Sequence, residues 1–172
     1  MKKISICITS YNKQSKLAYL LKYLLKNISL DMQIYVFDNN SNQQLQKYLE
    51  NLKFKKKIKL FISKRNFGEK YLIKKIQELN NSTYFVILAE DDFINLNYLK
   101  SCMKFMDNNT NINLIFSKTL IYNQKKENFY MLNSNLKNGV IYKPTLYNLK
   151  KLSTCNIHLS SVFFRGNIGS HS

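Results

Sequence analysis

YFVILAEDDFIN, residues 84–95, sets six apolar or aromatic residues before three successive carboxylates and an apolar return. The run YFVILA has the length of a strand and no alternation of polar and apolar positions. That is the mark of a strand buried on both faces. The chain holds 27 Lys and Arg against 10 Asp and Glu, yet three of those ten acids stand together at one strand end. Adjacent like charges disfavour one another's ionised forms, so something positive is expected among them. A metal ion is the first candidate.

Working outward, the same strand-then-helix pattern repeats. KISICIT (3–9) is a β-branched run of strand length, and Leu17, Leu20, Leu21, Leu24, Leu25 and Ile28 then recur at helical spacing, predicting a helix over 13–28. QIYVFD (33–38) reads as a second strand and SNQQLQKYLENLK (41–53) as a helix capped by Ser41 or Asn42. KIKLFIS (57–63) is a third strand, KRNFG a loop, and EKYLIKKIQELN (69–80) a third helix. The fourth strand, STYFVILA (82–89), leads to a helix over 95–109 that starts at Asn95. Apolar strands alternating with helices imply a parallel sheet covered on both faces. Right-handed crossovers then bring the carboxyl ends of the strands to one edge, where open α/β sheets bind ligands.

Beyond residue 110 the pattern loosens. NINLIFSKTL (111–120), ENFYMLN (127–133) and HLSSVFFR (158–165) read as strands of a mixed or antiparallel extension, and KPTLYNLKKL (143–152) as a short helix with Pro144 near its start. The expectation is one α/β domain over 1–172. Its sheet is mostly parallel and flanked by helices, with a regular part over 1–108 and a partial mixed-sheet extension over 109–172.

Composition narrows the class. Hydrophobic residues make up 45% of the chain, enough for a packed core. No apolar run approaches the roughly 20 residues needed to span a bilayer. The start, MKKISICITSYNK, lacks the long apolar centre and small-residue cleavage site of a secretion signal, so it reads as a first strand of a cytoplasmic protein. Cys7, Cys102 and Cys155 form no C-x-x-C pattern and have apolar neighbours. They read as buried free thiols in a reducing compartment. The net charge of +17 is nearly all lysine, the arginines being Arg65 and Arg165. This is a solvated lysine-rich surface, with attraction to anionic lipid or phosphorylated substrates as its functional side. Specific nucleic-acid recognition is not expected, because arginine forks and aromatic platforms are missing.

Four strand ends carry distinctive polar groups: Thr9-Ser10-Tyr11-Asn12, Asp38-Asn39-Asn40-Ser41, Lys64-Arg65-Asn66-Phe67-Gly68 and Glu90-Asp91-Asp92. Each alone could be a turn. A parallel sheet would gather all four into one cleft. A glycine-rich phosphate cradle is excluded, because the four glycines include none before residue 68. A phosphate bound here needs side-chain cations or a metal.

In that order and spacing, ISICITSYNK, IYVFDNNS, KRNFG and YFVILAEDD resemble the family 2 glycosyltransferases of GT-A fold, over residues 3–108 with a weaker echo at SSVFFRG. The resemblance implies a Rossmann-like sheet and transfer of a sugar from a nucleoside-diphosphate donor, a UDP-sugar, to a bacterial surface-glycan acceptor. The acceptor is a glycan or is lipid-linked, which implies work at the inner face of the membrane. Thr9 and Tyr11 match positions that wrap the nucleoside. Asp38 matches the acid that accepts the uracil N3–H, as an acceptor-only carboxylate does. Arg65 matches a basic residue near the nucleotide, Asp91 a ribose contact, and Asp92 the ligand of a Mn²⁺ or Mg²⁺ ion bridging the diphosphate. Such hard ions need only one or two carboxylates plus phosphate oxygens and water.

Two departures stand out. Ala89 occupies a place where many family members carry an aspartate. The general base expected of inverting members has no counterpart either, since no Asp or Glu follows residue 127. His158 reads as structural, so no catalytic residue is assigned. Two other classes compete. A sugar-phosphate nucleotidyltransferase would carry a Gly-rich, basic loop after the first strand, which TSYNKQSK does not resemble. A non-catalytic nucleic-acid-binding domain rests on charge alone.

Overall fold

β-Branched and aromatic runs make the centre of the sheet, and leucine-faced helices cover it. The protein is represented by a computed structural model that describes residues 3–52, 57–123, 125–132 and 162–166. In chain order β1 (Ile4–Ser10), α1 (Gln14–Asn27), β2 (Met32–Asp38), α2 (Gln43–Leu52), β3 (Ile58–Ile62), α3 (Glu69–Leu79), β4 (Tyr84–Ala89) and α4 (Leu96–Asn108) form the regular part. β5 (Leu114–Phe116), β6 (Leu120–Asn123), β7 (Asn128–Met131) and β8 (Val162–Arg165) follow. Each predicted element of the first 110 residues is present, with ends shifted by a residue or two.

The six-stranded sheet runs β3-β2-β1-β4-β8-β5. β1 pairs in parallel with β2 and β4, and β2 in parallel with β3; β8 lies antiparallel between β4 and β5. Register sets Ser10 beside Asp38 and Thr9 beside Ala89, so the polar strand ends fall level on one edge. Period two divides the strand side chains between two cores. Ile4, Ile6 and Ile8 pack with the leucines of α1 and α2 and with Leu96 and Leu99 of α4. Cys7, Phe37, Phe85 and Ile87 face the other way, onto Leu72 and Ile76 of α3.

The expected strand over 111–120 is two strands. Among the described residues β5 pairs with β8 from Leu114 to Phe116, with Phe116 opposite Val162. The chain then leaves the sheet and pairs β6 with β7 in a separate hairpin. The predicted helix over 143–152, Cys155 and His158 lie outside the described residues. Cys7 and Cys102 are buried free thiols, as expected.

Candidate functional site

The order 3-2-1-4 reverses direction at β1: connections from β1 and β2 run one way, and the connection into β4 runs the other. At such a switch point the loops diverge and leave a crevice beyond the strand ends. A cleft of about 210 Å³ opens there. β1 lines it with Thr9, Ser10 and Tyr11, the end of β4 with Ala89 and Glu90, the end of β2 with Asn39, and α3 with Glu69 and Leu72. Glu90 also borders a neighbouring depression of about 300 Å³, with Lys16, Tyr19, Asp91 and Phe93. Each lies at or below the lower end of the roughly 300–1,000 Å³ usual for small-molecule sites, and side by side they fall within it.

Short polar side chains tie the loops together. Asp38 is fully buried; its Oδ2 accepts the Ser41 N–H at 2.9 Å and its Oδ1 accepts the Ser41 hydroxyl. Ser41 Oγ in turn accepts the Asn12 N–H at 2.9 Å, and Asn12 Oδ1 accepts the Asn42 N–H at 2.7 Å. Asn12 and Asn40 hold positive φ, a conformation asparagine tolerates better than most residues. Asn42, not Ser41, caps α2 by accepting the Leu45 N–H at 3.0 Å. Asn39 links the second and third loops: its amide donates to Asn66 Oδ1 at 2.7 Å, and its Oδ1 accepts the Phe67 N–H at 3.0 Å. Gly68 enters α3 at φ +81°, ψ 171°, a region nearly closed to other residues.

The three carboxylates of the β4–α4 turn do three different things. Glu90 is buried, and its Oε2 accepts the Tyr11 N–H at 2.9 Å, binding this turn to the end of β1. Burial pushes its carboxyl above the ordinary range, against the Tyr11 hydrogen bond and the charge of Lys13. Asp91 is more exposed. One of its oxygens takes the ammonium groups of Lys13 at 3.0 Å and Lys16 at 3.2 Å. Burial raises the Asp91 carboxyl, but these two hydrogen bonds outweigh it and hold the group below its usual value. Asp92 folds back so that Oδ2 accepts the Ala89 N–H at 2.9 Å. The positive charge expected among the acids is therefore present as lysine, and the Asp91 hydrogen bond raises the Lys13 pKa.

Of the residues singled out in the sequence, Thr9 and Tyr11 line the cleft, and Asp91 borders the adjoining depression. Asp92 sits in the same turn as Asp91. Asp38 lies at the same sheet edge but faces Ser41, so the wall there is made by Asn39. Arg65 is off the cleft wall, its guanidinium 4.7 Å from the Phe67 ring, which packs at a tilt with its centroid 4.4 Å from that of Tyr71. The sequence reading places Asn39 in a polar strand end without giving it a role, and gives none to Lys13 or Lys16. The lysines had a signal: basic residues at the N-terminus of a helix with no acid in its first turn, where the macrodipole disfavours them.

Among the described residues no group of three His, Cys, Asp or Glu is placed to cage a metal. Asp92 nonetheless has one oxygen that accepts no hydrogen bond from the described residues. The donor set therefore fits a hard divalent ion completed by substrate phosphate and water, and does not fit an ion held by protein alone.

Similar proteins bear on this arrangement. Among curated proteins nothing matches the chain. Among solved structures, S. aureus TarS 1-349 superposes with a TM-score of 0.65 at 19% identity, over 95% of this chain and 47% of that one. The same protein in complex with UDP-GlcNAc gives 0.58 at 21%, over 66% and 33%. The mannosyltransferase PcManGT from Pyrobaculum calidifontis, in complex with GDP-Man and Mn²⁺, gives 0.56 at 12%, over 65% and 34%. At these identities the likeness establishes the GT-A fold. The chain spans between a third and a half of the length of these structures. The sequence profile described as Glycosyl transferase family 2 matches residues 5–168, nearly the whole chain, through both cleft-forming strand ends and on past β8. By that match, the chain belongs to glycosyltransferase family 2.

Proposed function

We propose that this chain is the donor-binding portion of a glycosyltransferase that passes a sugar from a nucleoside-diphosphate donor, a UDP-sugar, to a bacterial surface-glycan or lipid-linked acceptor with inversion. The observation that carries the reading is the cleft at the β1–β4 switch point, with a depression beside it, sharing Glu90, where Asp91 meets lysine ammonium groups. Family membership supports sugar transfer over synthesis of the nucleotide sugar. Relatives whose structures hold UDP, UDP-GlcNAc, or GDP-Man with Mn²⁺ support the donor class.

In this reading Thr9 and Tyr11 flank the nucleoside, and the Tyr11 ring, 45% exposed, offers a face to the base. Asn39 stands at the base end with Asp38 behind it. Asp38 is fully buried, so a direct bond to it from a uracil N3–H requires the loop over it to shift. Arg65 approaches from the β3–α3 loop, Asp91 meets the ribose, and Asp92 ligates Mn²⁺ or Mg²⁺. When bound, such an ion stabilises the negative charge that gathers on the leaving diphosphate as the glycosidic bond breaks. Glu90, fixed by the Tyr11 N–H, keeps the turn carrying Asp91 and Asp92 against the end of β1. No residue is assigned to take the proton from the acceptor hydroxyl. The lysine-rich surface favours the anionic inner face of a membrane, where lipid-linked acceptors are found. No helix among the described residues is long and apolar enough to cross it.

Thermal denaturation with UDP, GDP and UDP-GlcNAc, each with and without Mn²⁺, tests the reading. UDP at a hundredfold over its Kd stabilises by about 2.7 kcal/mol. The expected result is a UDP shift enlarged by Mn²⁺, with Asp92→Asn keeping the fold and losing the enlargement. A Tm moved by no nucleoside diphosphate overturns the reading. So does a UDP shift indifferent both to Mn²⁺ and to Asp92→Asn.

A further inference from the structure

α1 breaks a rule of helix electrostatics in a specific place. Lys13 is its N-cap residue, with no capping hydrogen bond from its side chain, and Lys16 lies in its first turn, which contains no acid. Cations at that end oppose the macrodipole. Local rules broken in this way are expected at functional positions. Both ammonium groups reach across to the β4–α4 turn and meet on the same oxygen, Asp91 Oδ2, at 3.0 and 3.2 Å. Lys13 also lies 3.8 Å from Glu90 Oε1. The lysine side chains are about half exposed, so their long stems are free to swing once the carboxylate finds another partner.

We propose that Lys13 and Lys16 are a built-in counter-ion that a divalent cation on Asp92 drives off the neighbouring Asp91, the freed ammonium groups then turning to the donor's diphosphate and Asp91 to the ribose. The proposal rests on the reading of the cleft as a nucleotide-sugar site and adds the order of events. In the free protein the turn's charge is already compensated, so the metal binds weakly by itself. With nucleotide present, phosphate oxygens complete the ion's shell and also receive the two lysines. Metal and nucleotide thus bind together, and the lysine pair couples them.

The test is Mn²⁺ binding to the full chain without nucleotide, followed by the electron paramagnetic resonance signal of free Mn²⁺. Lys13→Met with Lys16→Met removes both charges and keeps the apolar stems. Removing two like charges from beside the ion is expected to tighten Mn²⁺ binding about tenfold. With saturating Mn²⁺ the same variant is expected to bind UDP more weakly, read by calorimetry. Lys13→Arg with Lys16→Arg, which keeps both charges, should bind Mn²⁺ as wild type does. Lys22→Met with Lys26→Met, exposed positions farther along α1, should also leave Mn²⁺ affinity unchanged. Mn²⁺ affinity that is unchanged or weaker in the Lys13/Lys16→Met variant overturns the proposal. An equal gain in the Lys22/Lys26 variant also overturns it, since net charge alone would then suffice. Wild type failing to bind UDP while the methionine variant still gains Mn²⁺ would sink the nucleotide-sugar reading and leave the cation exchange standing.

Discussion

Glu90 and Asp91 are neighbours in sequence whose carboxyl groups are driven in opposite directions by their surroundings. Glu90 is buried against the end of β1, and its pKa rises chiefly through lost solvation. A carboxyl raised by folding favours the native state fully below the unfolded pKa. That advantage is lost as pH climbs from the ordinary glutamate value of 4.5 through the raised one. Asp91, lowered, behaves oppositely: its contribution is present above the ordinary aspartate value and disappears as pH falls through the folded one. Glu90→Gln keeps an acceptor for the Tyr11 N–H and removes the buried charge. It should therefore have a higher urea midpoint than wild type at pH 7, with the difference closing at pH 4. A constant difference at both pH values would show that burial of the charge is not the cause. The residue types at this turn were legible in the sequence as a charge anomaly. Their separate tasks were not, because adjacent positions at a strand end point to different neighbours, and those neighbours come from β1 and α1.

At the level of elements, β8 shows how much of the sheet's far side depends on a single side chain. Arg165 donates from Nε to the Ile112 carbonyl at 3.0 Å, from Nη2 to the Met106 carbonyl at 2.8 Å, and from Nη1 to Tyr84 Oη at 3.1 Å. Met106 lies in the last turn of α4, so the guanidinium serves a helix carbonyl end while lying 5.2 Å from the Tyr84 ring. The chain then leaves at Gly166, where a Cβ would meet the Ser82 carbonyl oxygen at 2.3 Å. Lysine has no fork to reach three acceptors, so Arg165→Lys should cost about 1–3 kcal/mol. Urea unfolding at unchanged m-value is the measurement. Nucleotide binding should be untouched, because Tyr84 begins β4 and the cleft lies at its other end, about 20 Å away. Helices and parallel strands of the first 110 residues were readable because each carries its own period and its own start signal. β5 to β8 were harder: their described runs are three or four residues long, and whether such a run joins the sheet depends on which strand it meets in space.

For the molecule as a whole, the two cores on either side of the sheet enclose the thiols. Cys7 is fully buried between β2 and β4, and burial pushes its pKa up; Cys102 is buried on α4. With Cys155 replaced by serine, both thiols should resist alkylation in the native state and react only at the rate of global opening. Rapid labelling without denaturant would show that the core opens locally. The order of strands and helices, the two-sided burial of the sheet and the gathering of polar strand ends on one edge all followed from the sequence, since hydrophobic period and crossover handedness are properties of the chain itself. Tertiary structure alone decided which polar side chain faces the cleft and which faces the turn: Asn39 outward and Asp38 onto Ser41. It alone decided, too, that the charge answering three carboxylates comes from Lys13 and Lys16, some 75 residues earlier in the chain. Electrostatic partners are chosen by distance in space, and only the folded sheet brings the start of α1 beside the end of β4.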